Sequence, residues 1–373
     1  MNPAVIDFRS AEDARDVVHR AVQTLAENKL VAFPTETVYG LAASALSEEA
    51  VARLIEAKGR PEGHPLSLAV KSADDALDYV PDLGPLGRRL VRRCWPGPVT
   101  LVAENRHPDS LVRRLPKAVQ QAVVPDGKLG MRVPAHELML EVLRMMAGPI
   151  VLSTASLSGG EDPITAEQVV EQLGDKVDLV LDDGRSRFGQ ASSVVQVFDN
   201  QFEILRQGVV NEATLKRLAS FMLLIVCTGN TCRSPMAERL AQKLIAEKIG
   251  CKIEELEEQS IIVASAGTSS MPGGAPSPQA VEVLKGMDLD LSDHQAQPIR
   301  EQLVRHADLI LTMTRGHHQA IVNTWPEAAE RAHLLCRDGG DVSDPIGGPV
   351  ELYQACAKQM GKELRSWIGE LHF

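Results

Sequence analysis

The apolar residues of this chain fall in short β-rich runs that alternate with segments of helical periodicity. In the first part of the chain, the runs predict strands at Leu30–Phe33, Leu66–Val70, Val99–Ala103, Gly130–Val133, Ile150–Ser153, Leu179–Leu181, Ser193–Phe198 and Phe202–Arg206. The helical periods predict helices at Ala11–Asn28, Glu48–Lys58, Leu86–Arg93 and Ala166–Leu173. This order predicts an α/β domain built on a large, mixed and twisted sheet.

The alternation is more regular in the last part of the chain. It predicts strands at Met222–Val226, Ile261–Ser265 and Leu309–Thr312, separated by helices at Met236–Ile249 and Pro278–Gly286. Strands that alternate with helices in this way predict a doubly wound parallel sheet. Polar, helix-favouring residues at 211–220 predict a linker helix. The predicted organisation is therefore a domain at 1–210, the linker, and a domain at 221–373.

Composition places the chain among ordinary globular proteins. Its 373 residues fit two domains at roughly 100–200 residues each, and 44% of them are hydrophobic. The net charge of −11 and the 3% aromatic content argue against a dedicated nucleic-acid surface with base-stacking platforms. The six cysteines form no CxxC pair, so zinc is not expected. We expect a cytoplasmic protein, because no signal-peptide pattern and no apolar run of membrane length occur.

The segment from Cys227 to Ser234 joins a predicted strand to a predicted helix and carries the strongest chemical signal. Backbone N–H groups of such a loop bind a dianion and stabilise a thiolate, which makes Cys227 a candidate nucleophile. Arg233 can grip two phosphate oxygens, and the Ser234 hydroxyl can hydrogen-bond the sulfur. Asn230 tolerates the positive φ that a tight loop requires. Downstream, Asp344 supplies a carboxylate that can act as a general acid.

A cysteine followed six residues later by arginine also occurs by chance, and a cysteine that ends a buried strand is usually part of the core. The surrounding sequence favours the chemical interpretation. From about Leu223 onward the chain resembles the low-molecular-weight protein-tyrosine-phosphatase family, through CTGNTCRSP at 227–235, SAGT at 265–268, DLSDH at 290–294 and Asp344-Pro345. The resemblance implies phosphoryl transfer to Cys227, transition-state stabilisation by Arg233 and protonation of the leaving group by Asp344, without a cofactor.

Thr231 refines the expected substrate. Phosphotyrosine-specific members usually carry Ile or Val at this position, and the loop is similar to that of the bacterial protein-arginine phosphatases of the family. A threonine is smaller and adds a hydroxyl that can orient water or a planar guanidinium. We therefore expect phosphoarginine in preference to phosphotyrosine as the group removed from a protein substrate.

The N-terminal part carries several polar segments near predicted strand ends, at 34–40, 58–61, 96–100, 130–134 and 153–160. The first of them is predicted to be a turn from a strand into a helix. Arg132 lies in a short apolar strand, where a guanidinium is costly to bury without an anionic partner. Lys58 and Arg60 can straddle a polyphosphate, although basic residues at a helix end also complement the helix dipole. The loop at 153–160 is rich in hydroxyls and glycine and suits a phosphate or a ribose.

These segments, taken in order, resemble the YrdC-type threonylcarbamoyl-AMP synthase family over about Ala11–Gly208. The resemblance implies condensation of ATP, L-threonine and bicarbonate to threonylcarbamoyl-AMP and pyrophosphate, a step towards a modified adenosine in tRNA, with Mg²⁺ carried by ATP. It assigns threonine binding to Thr35 and Arg132. It assigns ATP binding to Lys58, Arg60, Thr154, Ser156, Ser192 and Arg206. We expect contact with tRNA to be indirect, through partner proteins, and none with a membrane.

Four positions depart from the family pattern: Thr154 and Ser156 stand in a loop that usually reads Ser-Ala-Asn, His64 stands where Asn is usual, and Ser193 stands where Thr is usual. A serine is shorter than asparagine and lacks the two amide donors. The prediction is therefore a bifunctional enzyme, a synthase fused to a phosphatase. The alternative is an active phosphatase that carries a degenerate nucleotide- or RNA-binding module. His317-His318 is predicted to lie on a surface loop without a metal.

Overall fold

The computed structural model describes residues 3–59 and 65–373. The chain divides into two compact units, Met1–Leu215 and Lys216–Phe373. The division falls inside the helix α8 (Glu212–Ala219), within the segment predicted as a linker helix. We refer to the two parts as the N-terminal unit and the C-terminal unit.

The described residues of the N-terminal unit form a ten-stranded mixed sheet. Its strands are β1 (Ala4–Asp7), β2 (Val31–Phe33), β3 (Gly40–Ser44), β4 (Ser67–Ala69), β5 (Val99–Glu104), β6 (Lys128–Arg132), β7 (Ile150–Thr154), β8 (Leu179–Asp182), β9 (Ser193–Phe198) and β10 (Gln201–Arg206). Their order in the sheet is β1-β8-β2-β3-β7-β4-β6-β5-β9-β10. Parallel pairs such as β4 with β6 alternate with antiparallel pairs such as β4 with β7, which confirms the predicted mixed sheet.

Seven α-helices are described in the N-terminal unit ahead of α8. They are α1 (Ala14–Ala26), α2 (Glu48–Lys58), α3 (Ala73–Tyr79), α4 (Pro85–Cys94), α5 (Lys117–Val123), α6 (Glu137–Met145) and α7 (Ala166–Leu173). Side-chain caps explain several of their starts, because Asp13, Ser47, Ser72 and Thr165 each accept a hydrogen bond from a first-turn N–H. The apolar faces of α1 and α6 pack together over β2 and β8 to form one core.

The C-terminal unit contains a four-stranded parallel sheet in the order β12-β11-β13-β14. These strands are β11 (Phe221–Cys227), β12 (Ile261–Gly267), β13 (Leu309–Thr312) and β14 (Ala332–Leu334), and the helices are α9 (Arg233–Ile249), α10 (Pro278–Lys285), α11 (Glu301–His306), α12 (Arg315–Thr324) and α13 (Val350–Glu370). One core packs α9, α10 and α13 against the sheet, and a second core packs α11 and α12 against it. Helices on both faces confirm the doubly wound prediction.

One local prediction was wrong. The segment Pro34–Gly40 was expected to lead from a strand into a helix, but it joins β2 to the antiparallel strand β3. The residues of β3 are small and fully buried, and a short apolar run of this kind has no periodicity that separates strand from helix. The side chains of this turn therefore lie at the end of the β2–β3 pair.

Candidate functional site

The loop between β11 and α9, residues 227–234, is built around the Cys227 sulfur, and we call it the anion loop. Cys227 ends the strand and is buried, and the helix starts six residues later. The backbone N–H of Asn230 donates to Sγ at 3.2 Å, and the Ser234 hydroxyl lies 2.9 Å from it. The α9 N-terminus adds the positive end of the helix dipole, so the arrangement stabilises negative charge on sulfur and on a bound anion.

Asn230 stabilises the backbone conformation of the loop. It is fully buried with a φ of 54°, a conformation that asparagine adopts more readily than most residues. Its side-chain amide donates to the hydroxyls of Ser234 at 2.9 Å and Ser265 at 2.8 Å, and its Oδ1 accepts from the backbone N–H of Gln297 at 2.9 Å. Because the amide donates to Ser234, the hydroxyl hydrogen of Ser234 is left to point at the sulfur.

Gly267 permits the loop to lie against β12. A Cβ at this position would stand 2.4 Å from the carbonyl oxygen of Thr228, which is far inside van der Waals contact. Thr268 and Ser269 then donate backbone N–H groups to the carbonyls of Cys227 and Thr228. The end of β12 therefore holds the loop through the carbonyl groups of Cys227 and Thr228.

Arg233 and Asp344 meet beside the loop, although 111 residues separate them. The guanidinium donates to the Asp344 carboxylate, and its Nη1 donates to the Val342 carbonyl at 3.2 Å. The Arg233 side chain is 5% exposed and that of Asp344 is 41% exposed. The loop is therefore flanked by a partly exposed carboxylate that is paired with a buried guanidinium.

His317 was expected on a surface loop, and that prediction was wrong. It is buried in the first turn of α12, where Nε2 lies 2.8 Å from the Thr228 hydroxyl and Nδ1 lies 2.8 Å from the Thr314 hydroxyl. Burial, followed by the charge of Arg233, lowers the pKa of His317. The imidazole is therefore held neutral against the outer side of the anion loop.

Beneath the loop, Ser265 donates to the Glu238 carboxylate at 2.6 Å, and burial raises the pKa of Glu238. His294 Nε2 lies 2.9 Å from the Asn230 carbonyl. Sequence reasoning gave no role to Glu238, Ser265 or His294. The segments that contain Ser265 and His294 were recognised as family-like, but their place under the loop depends on strand and loop packing.

In the N-terminal unit, a cavity of about 470 Å³ opens over the strands of the mixed sheet. Among the residues that line it are five of the predicted site residues: Thr35, Arg132, Thr154, Ser192 and Arg206. The strands β3, β4, β6, β7 and β9 contribute lining residues, so the sheet brings together side chains that are far apart in the sequence. We call this space the sheet cavity.

Arg132 has the anionic partner that its burial requires, and the partner is a protein side chain. Its Nη2 donates to Glu36 Oε1 at 2.7 Å and to the Thr37 hydroxyl at 3.0 Å, and its Nε donates to the Gly97 carbonyl at 3.1 Å. Side-chain exposure is 8% for Arg132 and 6% for Glu36. The turn after β2 therefore orients the guanidinium, and Thr35 is held in the same turn by hydrogen bonds to Thr37 and Val38.

The opposite wall of the sheet cavity joins Ser192 to Arg206. The guanidinium donates to the Ser192 carbonyl at 2.9 Å and to its hydroxyl at 3.2 Å, and the Thr100 hydroxyl lies 2.9 Å from the Ser192 hydroxyl. The antiparallel pairing of β9 with β10 brings Arg206 back beside the start of β9. This wall presents a cation and two hydroxyls, groups that suit an anionic or a sugar-bearing ligand.

Lys58 and Ser156 lie behind the cavity wall. The Lys58 ammonium is buried and donates to the backbone carbonyls of Thr154 and Ser156. It therefore links the end of α2 to the hydroxyl-rich loop after β7. Arg60 and His64 lie outside the described residues. The ATP-binding roles of all six residues, Lys58, Arg60, Thr154, Ser156, Ser192 and Arg206, remain predictions.

Comparison with known proteins agrees with this division into two sites. The Sua5/YciO/YrdC family model, described as "Telomere recombination", matches residues 23–208, and the model for low molecular weight phosphotyrosine protein phosphatase matches residues 222–372. The chain belongs to both families. We refer below to the YrdC-family unit and the phosphatase-family unit.

Relatives of each unit carry different names. Threonylcarbamoyl-AMP synthase of Pyrococcus abyssi is 38% identical over 185 residues, which are 49% of this chain and 51% of that protein. A putative threonylcarbamoyl-AMP synthase of Mycobacterium tuberculosis is 35% identical over 51% of this chain and 83% of its own length. Protein-arginine-phosphatase of Bacillus subtilis is 37% identical over 40% of this chain and 95% of its own length. The chain thus spans only about half of the P. abyssi relative.

Among solved structures, a doubly substituted Sua5 of P. abyssi is 25% identical with a TM-score of 0.52, and the match covers 71% of this chain and 91% of that one. This likeness supports the mixed-sheet fold of the YrdC-family unit. Within residues 3–59 and 65–373, no helix has both the length and the apolar character needed to cross a membrane. The same ranges contain no group of three His, Cys, Asp or Glu side chains placed to hold a metal ion.

Proposed function

We propose that this chain is a bifunctional enzyme. In this proposal the phosphatase-family unit hydrolyses phosphorylated protein through a phosphocysteine, and the YrdC-family unit makes threonylcarbamoyl-AMP and pyrophosphate from ATP, L-threonine and bicarbonate. The observation that carries the first activity is the hydrogen bonding of the Cys227 sulfur by Asn230 and Ser234 at the start of α9. The observation that supports the second is the sheet cavity with Arg132 and Arg206 in its walls.

The phosphatase reaction uses the residues of the anion loop in two steps. The Cys227 thiolate attacks phosphorus, a P–S bond forms, and the bond from phosphorus to the leaving group breaks while Asp344 gives that group its proton. Asp344 then removes a proton from water, which attacks phosphorus and breaks the P–S bond. Arg233, now paired with Asp344, turns to the phosphoryl oxygens during transfer, and the loop N–H groups bind the remaining charge.

We propose phosphoarginine as the preferred substrate. The support is Thr231 together with the protein-arginine-phosphatase relative, which the chain covers over nearly its whole length. Thr231 is half-buried and its hydroxyl lies 3.6 Å from the Cys232 sulfur. A threonine at this point leaves more space at the loop wall than isoleucine and supplies a polar atom there.

Three versions of the full chain test this substrate proposal: wild type, Thr231→Val and Thr231→Ile. Valine keeps the size of threonine and removes the hydroxyl, whereas isoleucine also fills space. The measurement is kcat/KM on a phosphoarginine protein and on a phosphotyrosine peptide, with Cys227→Ser as the inactive control. We expect wild type to favour phosphoarginine and Thr231→Ile to shift the ratio of the two kcat/KM values towards phosphotyrosine by about tenfold or more. A wild-type preference for phosphotyrosine would refute the substrate assignment and leave the phosphatase activity intact.

For the synthase, we propose that Arg132 pairs with the threonine carboxylate while Glu36 holds its guanidinium in place. Thr35 completes that end of the site. Thr154, Ser192 and Arg206 contact the nucleotide, with Lys58, Arg60 and Ser156 in support. Mg²⁺ arrives with the triphosphate of ATP. The product would pass to tRNA through partner proteins, and the reduced Cys227 thiol required by the phosphatase activity favours the cytoplasm.

Pyrophosphate release measured with and without threonine and bicarbonate tests the synthase. We expect release to require both, and to be lost in Lys58→Ala. The departures at Thr154 and Ser156 favour a second candidate, a nucleotide-binding module without turnover. Tight ATP binding to wild type, with no pyrophosphate in the presence of both co-substrates, would refute the synthase and support this module.

A further inference from the structure

Thr228 directly follows the candidate nucleophile in the anion loop, and sequence analysis assigned it no role. The residue is exposed, and its backbone carbonyl accepts from the Ser269 N–H at 3.0 Å. Its hydroxyl has two polar neighbours in the described part of the chain. His317 Nε2 lies 2.8 Å from it, and Arg233 Nη2 donates to it over 3.5 Å, which is long for a hydrogen bond. The direction of the hydroxyl proton therefore depends on His317 and Arg233.

The hydrogen bonds around Thr314 place the proton of the neutral His317 ring on Nε2. Thr314 is the N-cap of α12, and its hydroxyl oxygen accepts from the backbone N–H of His317 at 3.3 Å. The same hydroxyl lies 2.8 Å from Nδ1, and its own proton is available for that bond. Nδ1 therefore accepts, and in a neutral imidazole the other nitrogen is then the donor. With the proton on Nδ1 instead, the Thr314 oxygen would accept two bonds while its own proton had no acceptor among the described residues.

This arrangement leaves the hydroxyl proton of Thr228 available to a ligand. His317 Nε2–H donates to the Thr228 oxygen, and the Arg233 guanidinium has donors only. Neither neighbour can accept the proton, so it points away from both. Because Thr228 is exposed whereas His317 and Arg233 are buried, an acceptor reaches this proton from the solvent side of the loop.

The contacts of Arg233 indicate which acceptor reaches the same place. Its Nη2 donates to Asp344 as well as to Thr228. In the reaction proposed above, Arg233 turns from Asp344 to the phosphoryl group, which carries three terminal acceptor oxygens. One of these oxygens can take the place of the Asp344 carboxylate at Nη2 while a second accepts from the Thr228 hydroxyl. A phosphoryl group therefore fits the unused donor.

We propose that Thr228 binds the substrate by donating its hydroxyl proton to a phosphoryl oxygen, and that His317 is the positioning residue that directs this proton. His317 touches no substrate atom and acts through Thr228. The inference rests on the proposed phosphatase function, because it assigns the hydroxyl to the group that is transferred. It is testable without turnover, since the tautomer of the ring and the binding of inorganic phosphate are both measured on the resting protein.

The tautomer of His317 is the first measurement. In the full chain with ¹⁵N-labelled histidine, a two-bond proton–nitrogen correlation spectrum at neutral pH shows which ring nitrogen carries the proton. The signal that disappears in His317→Gln belongs to His317. We expect the Nε2–H tautomer. The Nδ1–H tautomer would overturn the proposal, because Nε2 would then accept the Thr228 proton.

Binding of inorganic phosphate, followed by calorimetric titration of the full chain, tests the contact made by Thr228. Thr228→Val keeps the size of the side chain and removes the hydroxyl, whereas Thr228→Ser retains the hydroxyl. We expect the valine variant to bind phosphate about tenfold more weakly or worse, because it loses a hydrogen bond to a charged group. The serine variant should stay within about threefold of wild type, because it keeps that bond.

Two further variants serve as references for the titration. Thr324→Val, at an exposed threonine of α12, is the matched control and should bind phosphate as wild type does. Arg233→Ala measures the phosphate that binds outside the anion loop. Unchanged binding of phosphate to the anion loop in Thr228→Val would overturn the proposal.

His317→Phe and His317→Gln test the positioning role. Phenylalanine keeps a planar ring without a donor, and glutamine can place an N–H near the position of Nε2. We expect His317→Phe to weaken phosphate binding about threefold or more, and His317→Gln to retain most of it. In the Thr228→Val background, His317→Phe should have no further effect. An equal loss in both backgrounds would overturn the positioning role, and the Thr228 variants, which alter an exposed side chain, still decide the substrate contact if His317→Phe fails to fold.

The kinetics of the same variants separate this inference from the proposed function. With a phosphoarginine protein as substrate, Thr228→Val should lower kcat/KM by about tenfold, and Thr228→Ser should restore it. If wild type hydrolyses no phosphorylated protein but phosphate binding still depends on Thr228, the proposed function fails and the anion contact stands. If wild type is an active phosphatase and Thr228→Val changes neither phosphate binding nor kcat/KM, the function stands and this inference is refuted.

Discussion

Asn230 offers a direct test of how the anion loop is held. Replacing it with alanine removes the two hydrogen bonds from its amide to Ser234 and Ser265 and the one that its Oδ1 accepts from the Gln297 N–H, and it leaves a residue with a Cβ at a φ of 54°. Ser265 keeps its bond to Glu238 and Ser234 keeps its contact with Cys227, so neither hydroxyl is stranded. The three lost bonds contribute about 1 kcal/mol each and the left-handed backbone about 1 kcal/mol, so Asn230→Ala should lower the free energy of unfolding by about 4 kcal/mol.

Asn230→Gly is the matched control, because it removes the same hydrogen bonds but accommodates the positive φ. It should be less destabilising than Asn230→Ala by up to about 1 kcal/mol, because the greater freedom of glycine in the unfolded chain offsets part of the relieved backbone strain. Hydrogen exchange of peptides from β11 and β13, followed by mass spectrometry, reports the opening free energy of the C-terminal unit alone. A glycine variant as unstable as the alanine variant would refute the argument from backbone conformation.

Three further predictions concern burial, protonation and capping. Glu36→Gln should destabilise the N-terminal unit by about 3 kcal/mol, because Arg132 stays buried without its counter-charge. In denaturant unfolding, the double variant with Arg132→Met should recover part of the lost stability, and no recovery would contradict this account. Burial lowers the pKa of His317, so the unfolded state binds the proton more readily and the free energy of unfolding should fall as pH drops below about 6.5. His317→Gln should reduce that fall, and an unchanged pH profile of unfolding in this variant would exclude His317 as its cause. Lys248 donates to three carbonyls at the end of α13. In thermal unfolding, Lys248→Met should therefore lower the free energy of unfolding by about 1 kcal/mol, whereas Lys362→Met, at an exposed lysine, should leave it unchanged. Equal effects of the two changes would refute the capping role of Lys248.

Local sequence determined much of the fold. The helices α2 and α7 have the predicted bounds, because an N-cap serine or threonine and a clear apolar period mark both. The strand β9 also has its predicted bounds. The strand β3 was missed, since its small buried residues carry no period. The strand β1 and the helix α6 were not predicted either.

The anion loop could be proposed from sequence because its functional residues lie close together along the chain. A loop that binds a phosphate with its own N–H groups needs a nucleophile, permissive backbone positions and an arginine within a few residues, and Cys227–Ser234 supplies them in order. The residues that carry the chemistry of such a site therefore lie in one short segment, and a single sequence is enough to identify the candidate nucleophile.

Only the tertiary structure decided which distant groups complete each site. Arg132 meets Glu36 across 96 residues, and His317 meets Thr228 across 89. Neither pairing has a sequence signal, because strand order and helix packing, and not spacing along the chain, set which side chains are neighbours. The sequence by itself determined the two α/β units and the nucleophilic loop, whose encoding is local. The buried Arg132–Glu36 pair and the His317–Thr228 contact arise from long-range packing, where a polar group must find its partner wherever the fold places one.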